Sequence, residues 1–174
     1  MGADGVRLRA ATPDDVGAGA ELHRRCWAET YRGIADPAAL EPRLADRDRW
    51  VAAWRRQLAE GPAYTVAEVG GALVGFALVG RSRMVDAPTP TELHALYVRR
   101  SHHGTGLGAR LLDAVLRPEP CMLWVTEANA RARAFYARHG FEPDGTRQLY
   151  DGLGAWECRL VRPADPDRAA RPAP

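Results

Sequence analysis

The chain contains no lysine. All 24 of its strongly basic residues are arginine, set against 22 acidic residues for a net charge of +2. A nucleic-acid binder needs a clear cationic excess gathered into a stripe, and this balance excludes one. Cysteine is scarce and scattered: Cys26, Cys121 and Cys158 form neither an even set nor a Cys-x-x-Cys pair. A disulfide framework and a cysteine metal site are therefore excluded, and reduced thiols in a cytoplasmic protein without a metal are expected. Long apolar runs are also missing. None approaches the ~20 residues that cross a bilayer, so no membrane role is expected. The opening Met-Gly-Ala-Asp-Gly has neither the basic nor the apolar region of an export signal.

What is present suffices for one domain of 174 residues. Apolar residues are 46% of the chain, but 31 residues are alanine, so the core should be modest. Residues 6–10 alternate as a first strand. Thr12-Pro13-Asp14-Asp15 supplies a cap, a proline and acids for a helix that carries Val16, Ala20, Leu22, His23 and Trp27 and ends near Gly33. Asp36-Pro37 and Asp46 start two more helices, the second with Trp50, Val51, Trp54 and Leu58 at helical spacing. Strands at 64–69 and 72–81 flank Gly70-Gly71, and a third strand spans 92–98. A glycine-rich turn then leads to a helix with Leu107, Leu111, Leu112, Val115 and Leu116 on one face. A buried strand at 121–126 follows, then a helix capped by Asn129 and ended by Gly140, and strands at 141–150 and 153–161. Residues 1–162 are read as one domain and 163–174 as a disordered tail. The order predicts an α/β fold with a mixed sheet and helices on both faces.

The segment Leu96-Tyr97-Val98-Arg99-Arg100-Ser101-His102-His103-Gly104-Thr105-Gly106-Leu107-Gly108-Ala109 carries the chemistry. Glycines at a strand-to-helix junction let several N–H groups point into one concavity, and the helix dipole favours a phosphate there. The spacing G-x-G-x-G is not the dinucleotide fingerprint, and a Walker loop needs the lysine this chain lacks. A plain glycine-rich turn remains the alternative for the loop alone. A second segment follows after a helix and a strand: Asn129-Ala130-Arg131-Ala132-Arg133-Ala134-Phe135-Tyr136-Ala137-Arg138-His139-Gly140-Phe141.

Together the two segments resemble the GNAT superfamily of acyl-CoA-dependent N-acetyltransferases. The first is similar to its motif A, an apolar-Tyr-Val run followed by [QR]-x-x-G-x-[GA]. The second is similar to its N-x-x-A-x-x-F-Y-x-x-x-G-F signature. Trp27-Ala28-Glu29-Thr30-Tyr31-Arg32-Gly33-Ile34 also resembles an early helix of many bacterial members. In this reading His103 stands where the family carries Gln or Arg, which implies a cofactor affinity more sensitive to pH. The resemblance implies a mostly antiparallel central sheet splayed between two middle strands. It also implies acetyl-CoA as acyl donor, a primary amine of a small molecule as acceptor, and direct attack in a ternary complex.

The resemblance assigns donor binding to the backbone of Leu96, Tyr97 and Val98, to the amides of His103, Gly104, Thr105, Gly106, Leu107, Gly108 and Ala109, and to Asn129. Arg99, Arg100 and Arg138 are all candidates for the remaining phosphate. A free alkylammonium has a pKa near ~10, so the acceptor needs a base. Glu92 or His94 is the candidate, and strict alternation would put both on one face with Leu96 and Val98. Tyr136 is the candidate acid for the leaving thiolate. Transfer through Cys121 is the less favoured route. Trp27, Tyr31, Trp50, Trp54, Arg81, Arg83, Tyr150 and Trp156 are candidate acceptor-site residues, with Trp50 and Trp54 better suited to the core. Arg81 and Arg83 would suit a carboxylate-bearing amine. The competing readings are an acyl-CoA-binding sensor without turnover and an acetyltransferase of protein N-termini or lysines. A homodimer through the terminal strands is compatible with the sequence.

Overall fold

The computed structural model describes residues 5–165. The chain forms β1 (Val6–Ala10), the helices α1 (Val16–Tyr31), α2 (Pro37–Ala45) and α3 (Arg47–Glu60), then β2 (Thr65–Val69), β3 (Ala72–Arg81) and β4 (Thr91–Val98). It continues as α4 (Leu107–Val115), β5 (Cys121–Thr126) and α5 (Ala130–Ala137), and closes with β6 (Glu142–Tyr150) and β7 (Ala155–Arg162). The strands build one seven-stranded sheet in the order β1-β2-β3-β4-β5-β7-β6. Of the tail assigned from residue 163, Pro163 to Asp165 carry no regular structure, and the Asp165 amide donates to the Pro118 carbonyl at 2.7 Å. Residues 166–174 lie outside the described residues.

Local chemistry fixes the element ends. Asp36, Asp46 and Asn129 cap α2, α3 and α5 by accepting from the amides of Ala38, Arg49 and Ala132 at 2.9, 3.0 and 3.1 Å. Before α1, Asp15 accepts the Thr12 amide at 2.8 Å and both terminal nitrogens of Arg9 at 2.7 and 2.8 Å. Hydrogen bonding from Arg9 holds the Asp15 carboxyl well below the usual carboxylate range. Between β2 and β3, Gly70 and Gly71 have φ of +56° and +80°, a region that a Cβ disfavours.

Helices cover the sheet on two sides. The α1–α3 layer buries Trp54, which is 0% exposed, against Tyr64 at a centroid distance of 4.0 Å and against Phe76. Trp27 and Trp50 belong to the same core, so these three tryptophans fill space rather than face an acceptor. The other layer packs Leu107, Leu111, Leu112 and Val115 of α4, with Tyr136 of α5, onto the opposite sheet face.

Two irregularities position the site. First, β4 and β5 are parallel and pair only at Thr91–Cys121 and Glu92–Met122, whereas the other neighbouring strands are antiparallel. Beyond Glu92 the two strands part. Second, Leu93 of β4 pairs with Val79 of β3 while Ala95 pairs with the adjacent Leu78, so His94 is an extra residue in β4. Such a bulge inverts the alternation that follows it. Leu96 and Val98 accordingly pack on the α4 side with Leu93, while Ala95 and Tyr97 pack on the α1 side. The shared face expected for Glu92, His94, Leu96 and Val98 is therefore broken at His94.

Candidate active site

A cleft of about 440 Å³ runs through the gap between β4 and β5. One end is the turn before α4. Gly104 and Gly106 have φ of +78° and +82°, and no side chain caps the helix. Among the described residues none of the six amides of residues 104–109 donates to a protein acceptor; the first with one is Arg110, to the Gly106 carbonyl at 3.1 Å. An unsatisfied amide fan at a helix N-terminus is the arrangement that a diphosphate requires. Gly108 differs from the other two glycines. It sits in the helix, where a Cβ would come into ordinary van der Waals contact with the Phe135 ring at 3.4 Å. Thr105 lies outside the cleft lining, and its hydroxyl donates to the His102 carbonyl at 2.8 Å.

Counted back from Gly104, the first position of the [QR]-x-x-G-x-[GA] pattern is Ser101, not His103. Ser101 is in a 3-10 turn, with its hydroxyl 2.9 Å from His102 Nδ1. His103 lines the cleft, yet its Nε2 donates to the Val98 carbonyl at 2.9 Å and ties the turn back to the end of β4. Among the three arginines considered for a phosphate, two are engaged elsewhere. Arg99 is paired with Glu29 at 2.8 Å, and the Arg100 amide and guanidinium both bind Glu29 of α1. Arg138 lines the cleft without an acceptor among the described residues, as does Arg131, which sequence reasoning passed over. Asn129 and the β4 residues 96–98 also line it.

At the middle of the gap stand three phenols. The Tyr31 and Tyr97 hydroxyls are 2.9 Å apart, and Tyr136 lines the cleft from α5. Burial pushes the Tyr31 phenol up to about 12 and raises Tyr136 further still, so each keeps its proton across the working range. Tyr136 can thus present an O–H to a leaving sulfur. Cys121 is buried and outside the cleft lining, and burial pushes its thiol up to about 11, which removes the thiolate a covalent relay needs.

Below the gap, Glu92 is 8% exposed and does not itself line the cleft. Its carboxylate accepts from the Arg83 amide at 3.1 Å and the Ser82 hydroxyl at 3.4 Å. His94 lines the cleft, and its Nδ1 lies 3.4 Å from Glu92 Oε1 without reaching hydrogen-bond geometry. Gly80 makes room for the imidazole, because a Cβ there would meet His94 Nε2 at 3.0 Å. Burial alone would raise the Glu92 carboxyl, but His94 and the Arg83 amide outweigh it, and the net direction is below the ordinary carboxylate value. Glu92 is thus ionised at neutral pH and coupled to the cleft through His94. Replacing Glu92 by Gln should lower kcat by about 100-fold near pH 6.5, within the usual range for losing a general base. The deficit should shrink as pH rises toward the acceptor's own pKa, where the amine sheds its proton unaided. A pH–rate profile of both proteins checks this; parallel profiles would remove Glu92 from proton transfer.

The remaining acceptor candidates divide by face. Tyr31 lines the cleft, and Tyr150 packs with the α1 side. Arg81 is paired with Thr91, one position beyond the Gly80–Glu92 pair, so alternation turns it away from the face that carries Glu92. Trp156 is exposed, pairs with Leu149 and lies under the Arg147 guanidinium, on the sheet face of Cys158.

A mixed sheet opened between two middle strands, with an amide-lined turn beside the opening, defines an acyltransferase fold. Comparison with known proteins gives it a family. Residues 19–141 match the family described as the acetyltransferase (GNAT) family. The chain is 32% identical to the "Probable N-acetyltransferase Rv2775" of Mycobacterium tuberculosis, over 92% of this chain and 97% of that protein. It is 31% identical to the L-methionine sulfoximine/L-methionine sulfone acetyltransferase of Pseudomonas paraeruginosa, over 65% of this chain and 69% of that one. The fold is shared with yncA of Salmonella typhimurium, solved with its cofactor acetyl-CoA: TM-score 0.68, 21% identity, 97% of each chain. The chain belongs to the GNAT family of acetyltransferases.

Proposed function

We propose that this protein transfers an acetyl group from acetyl-CoA to the primary amine of a small molecule, by direct attack while donor and acceptor are held together. The observation that carries the reading is the gap past Glu92–Met122, which joins an amide-lined turn to a basic pair and a buried phenol within one cleft. The donor set fits coenzyme A. The amides of residues 104–109 and the guanidinium of Arg138 would hold its phosphates, and the freed edge of β4 would pair with its amide-bearing arm as an added strand. The bound thioester supplies the activated acyl carbon. Glu92, through His94, takes the proton that the acceptor nitrogen loses as its bond to that carbon forms. Tyr136 gives its proton to the sulfur as the carbon–sulfur bond breaks. A backbone N–H at residues 96–98 stabilises the oxyanion. The Pseudomonas relative, named for an amino-acid-like acceptor, supports a small amine over a protein chain.

The test is thiol release from acetyl-CoA in the presence of the twenty L-amino acids, L-methionine sulfone and putrescine. At least one should be acetylated with saturation in both substrates and intersecting initial-rate patterns. Tight coenzyme A binding without turnover of any amine would favour the sensor reading, and parallel rate lines would overturn direct attack.

A further inference from the structure

Glu157 stands apart from the other carboxylates of the sheet and its helices. Eight carboxylates among the described residues are buried or half-buried: Asp15, Glu21, Glu29, Glu68, Glu92, Glu127, Glu157 and Asp165. Six of them are paired with arginine. Glu92 and Glu157 are the two that are not, in a chain with 24 arginines to spend. Desolvating a carboxylate is costly unless a cation or several donors meet it. Glu92 has His94 and the Arg83 amide. Glu157 has a single neutral donor, Gln148 Nε2 at 3.2 Å.

The register places this carboxylate on the sheet face that carries Glu92 and Trp124, just behind the cleft lining. Glu157 of β7 is the partner of Thr126 in β5 and of Gln148 in β6, so the three share a face. Trp124, two residues before Thr126, shares that face and lines the cleft. On the opposite face Cys158 and Leu160 pack into the core under α4 and α5. A second unsatisfied group lies beside Glu157. Thr126 is 2% exposed, and its hydroxyl, near the Tyr31 phenol, makes no well-formed hydrogen bond. Along the sheet axis, Thr126 lies four residues past the last β4–β5 pair, level with the open part of the gap where Tyr31 and Tyr97 meet. Burial foremost, with the negative charge of Glu92 adding to it, raises the Glu157 carboxyl above its ordinary value, as expected of a carboxylate lacking its cation.

We infer that Glu157 is a specificity-determining residue that holds the acceptor's ammonium group at the gap, with the Thr126 hydroxyl as a further acceptor, before the proton passes toward Glu92. The inference rests on the proposed amine acetylation and names the group that selects a cationic acceptor. An arriving ammonium supplies the partner that no arginine of the chain provides.

The experiment uses the amine from the panel above that the wild type acetylates fastest, together with its N-acetylated product. Glu157→Gln should raise the acceptor KM by at least tenfold while the KM for acetyl-CoA stays within twofold. Titration calorimetry on protein saturated with coenzyme A should show the same loss of affinity for the amine. The N-acetylated product, which lacks the ammonium, should bind both proteins equally, and Glu157→Asp should recover most of the affinity. If Glu157→Gln binds the amine as tightly as the wild type, or loses amine and product alike, the inference is overturned and the acetylation reading stands. If the wild type acetylates nothing in the panel, the acetylation reading fails and takes the inference with it.

Discussion

Tyr136→Phe should retain its fold and its grip on coenzyme A yet lose most of its turnover. The ring stays in the core between Phe135 and Phe141, at centroid distances of 5.3 and 5.7 Å, so packing is preserved. Only the hydroxyl goes, and among the described residues it holds no protein partner. The loss therefore falls on the transition state rather than on the ground state. Removing a positioned acid costs about 100-fold or more, or ~2.7 kcal/mol of barrier. The expected result is a kcat down at least 100-fold with the acetyl-CoA KM within about threefold. The KM shift matters as much as the rate, because a raised KM with kcat unchanged would mean that the hydroxyl merely binds the donor. A variant with full kcat would leave the thiolate to be protonated by water and would remove Tyr136 from the mechanism.

The second large effect is expected at Gly106, where Val should abolish coenzyme A binding. The open space around this glycine means that a side chain meets no clash. The cost lies in the backbone: φ of +82° strains a β-branched residue by ~1–3 kcal/mol. The turn will relieve that strain by rotating, and rotation disperses the unpaired amides of residues 104–109. Calorimetry should show the dissociation constant for coenzyme A raised about 100-fold or more, alongside only a few degrees' loss of melting temperature. Binding within twofold of the wild type would show that the phosphates are held by side chains such as Arg138 and not by the main chain.

Much of this was legible before any coordinates. Asp36, Asp46 and Asn129 announced three helix starts because an Asx side chain before an apolar-periodic run has few other uses. The Gly70-Gly71 hairpin, the central β3 and the two motif helices followed from local pattern alone. What stayed hidden depended on which strand meets which. The extra residue at His94 is invisible in Glu-Leu-His-Ala-Leu-Tyr-Val, since only the offset against β3 reveals it. Arg99 and Arg100 stood level with Arg138 as phosphate candidates in the sequence, and only the fold brings Glu29 of α1 against them from 70 residues away. Trp50 and Trp54 already read as core from their helical spacing, but Trp27 looks the same in sequence whether it lines a cleft or fills a core. Glu157 had a faint signal: alternation with Cys158 and Leu160 already set it on the other face. What made it conspicuous was the absence of an arginine, a property of the whole ion-pair network rather than of its neighbours.

That network bears on the protein's own durability. Among the described residues, apart from the contact between His94 and Glu92, every cation in a salt bridge is a guanidinium. A protein that concentrates a reactive thioester exposes its own nucleophiles to stray acylation, and the ε-amine of lysine is the usual casualty. Guanidinium stays protonated and unreactive at physiological pH. The arginines that clamp α1 to the glycine turn through Glu29 therefore offer no amine for a thioester to acylate.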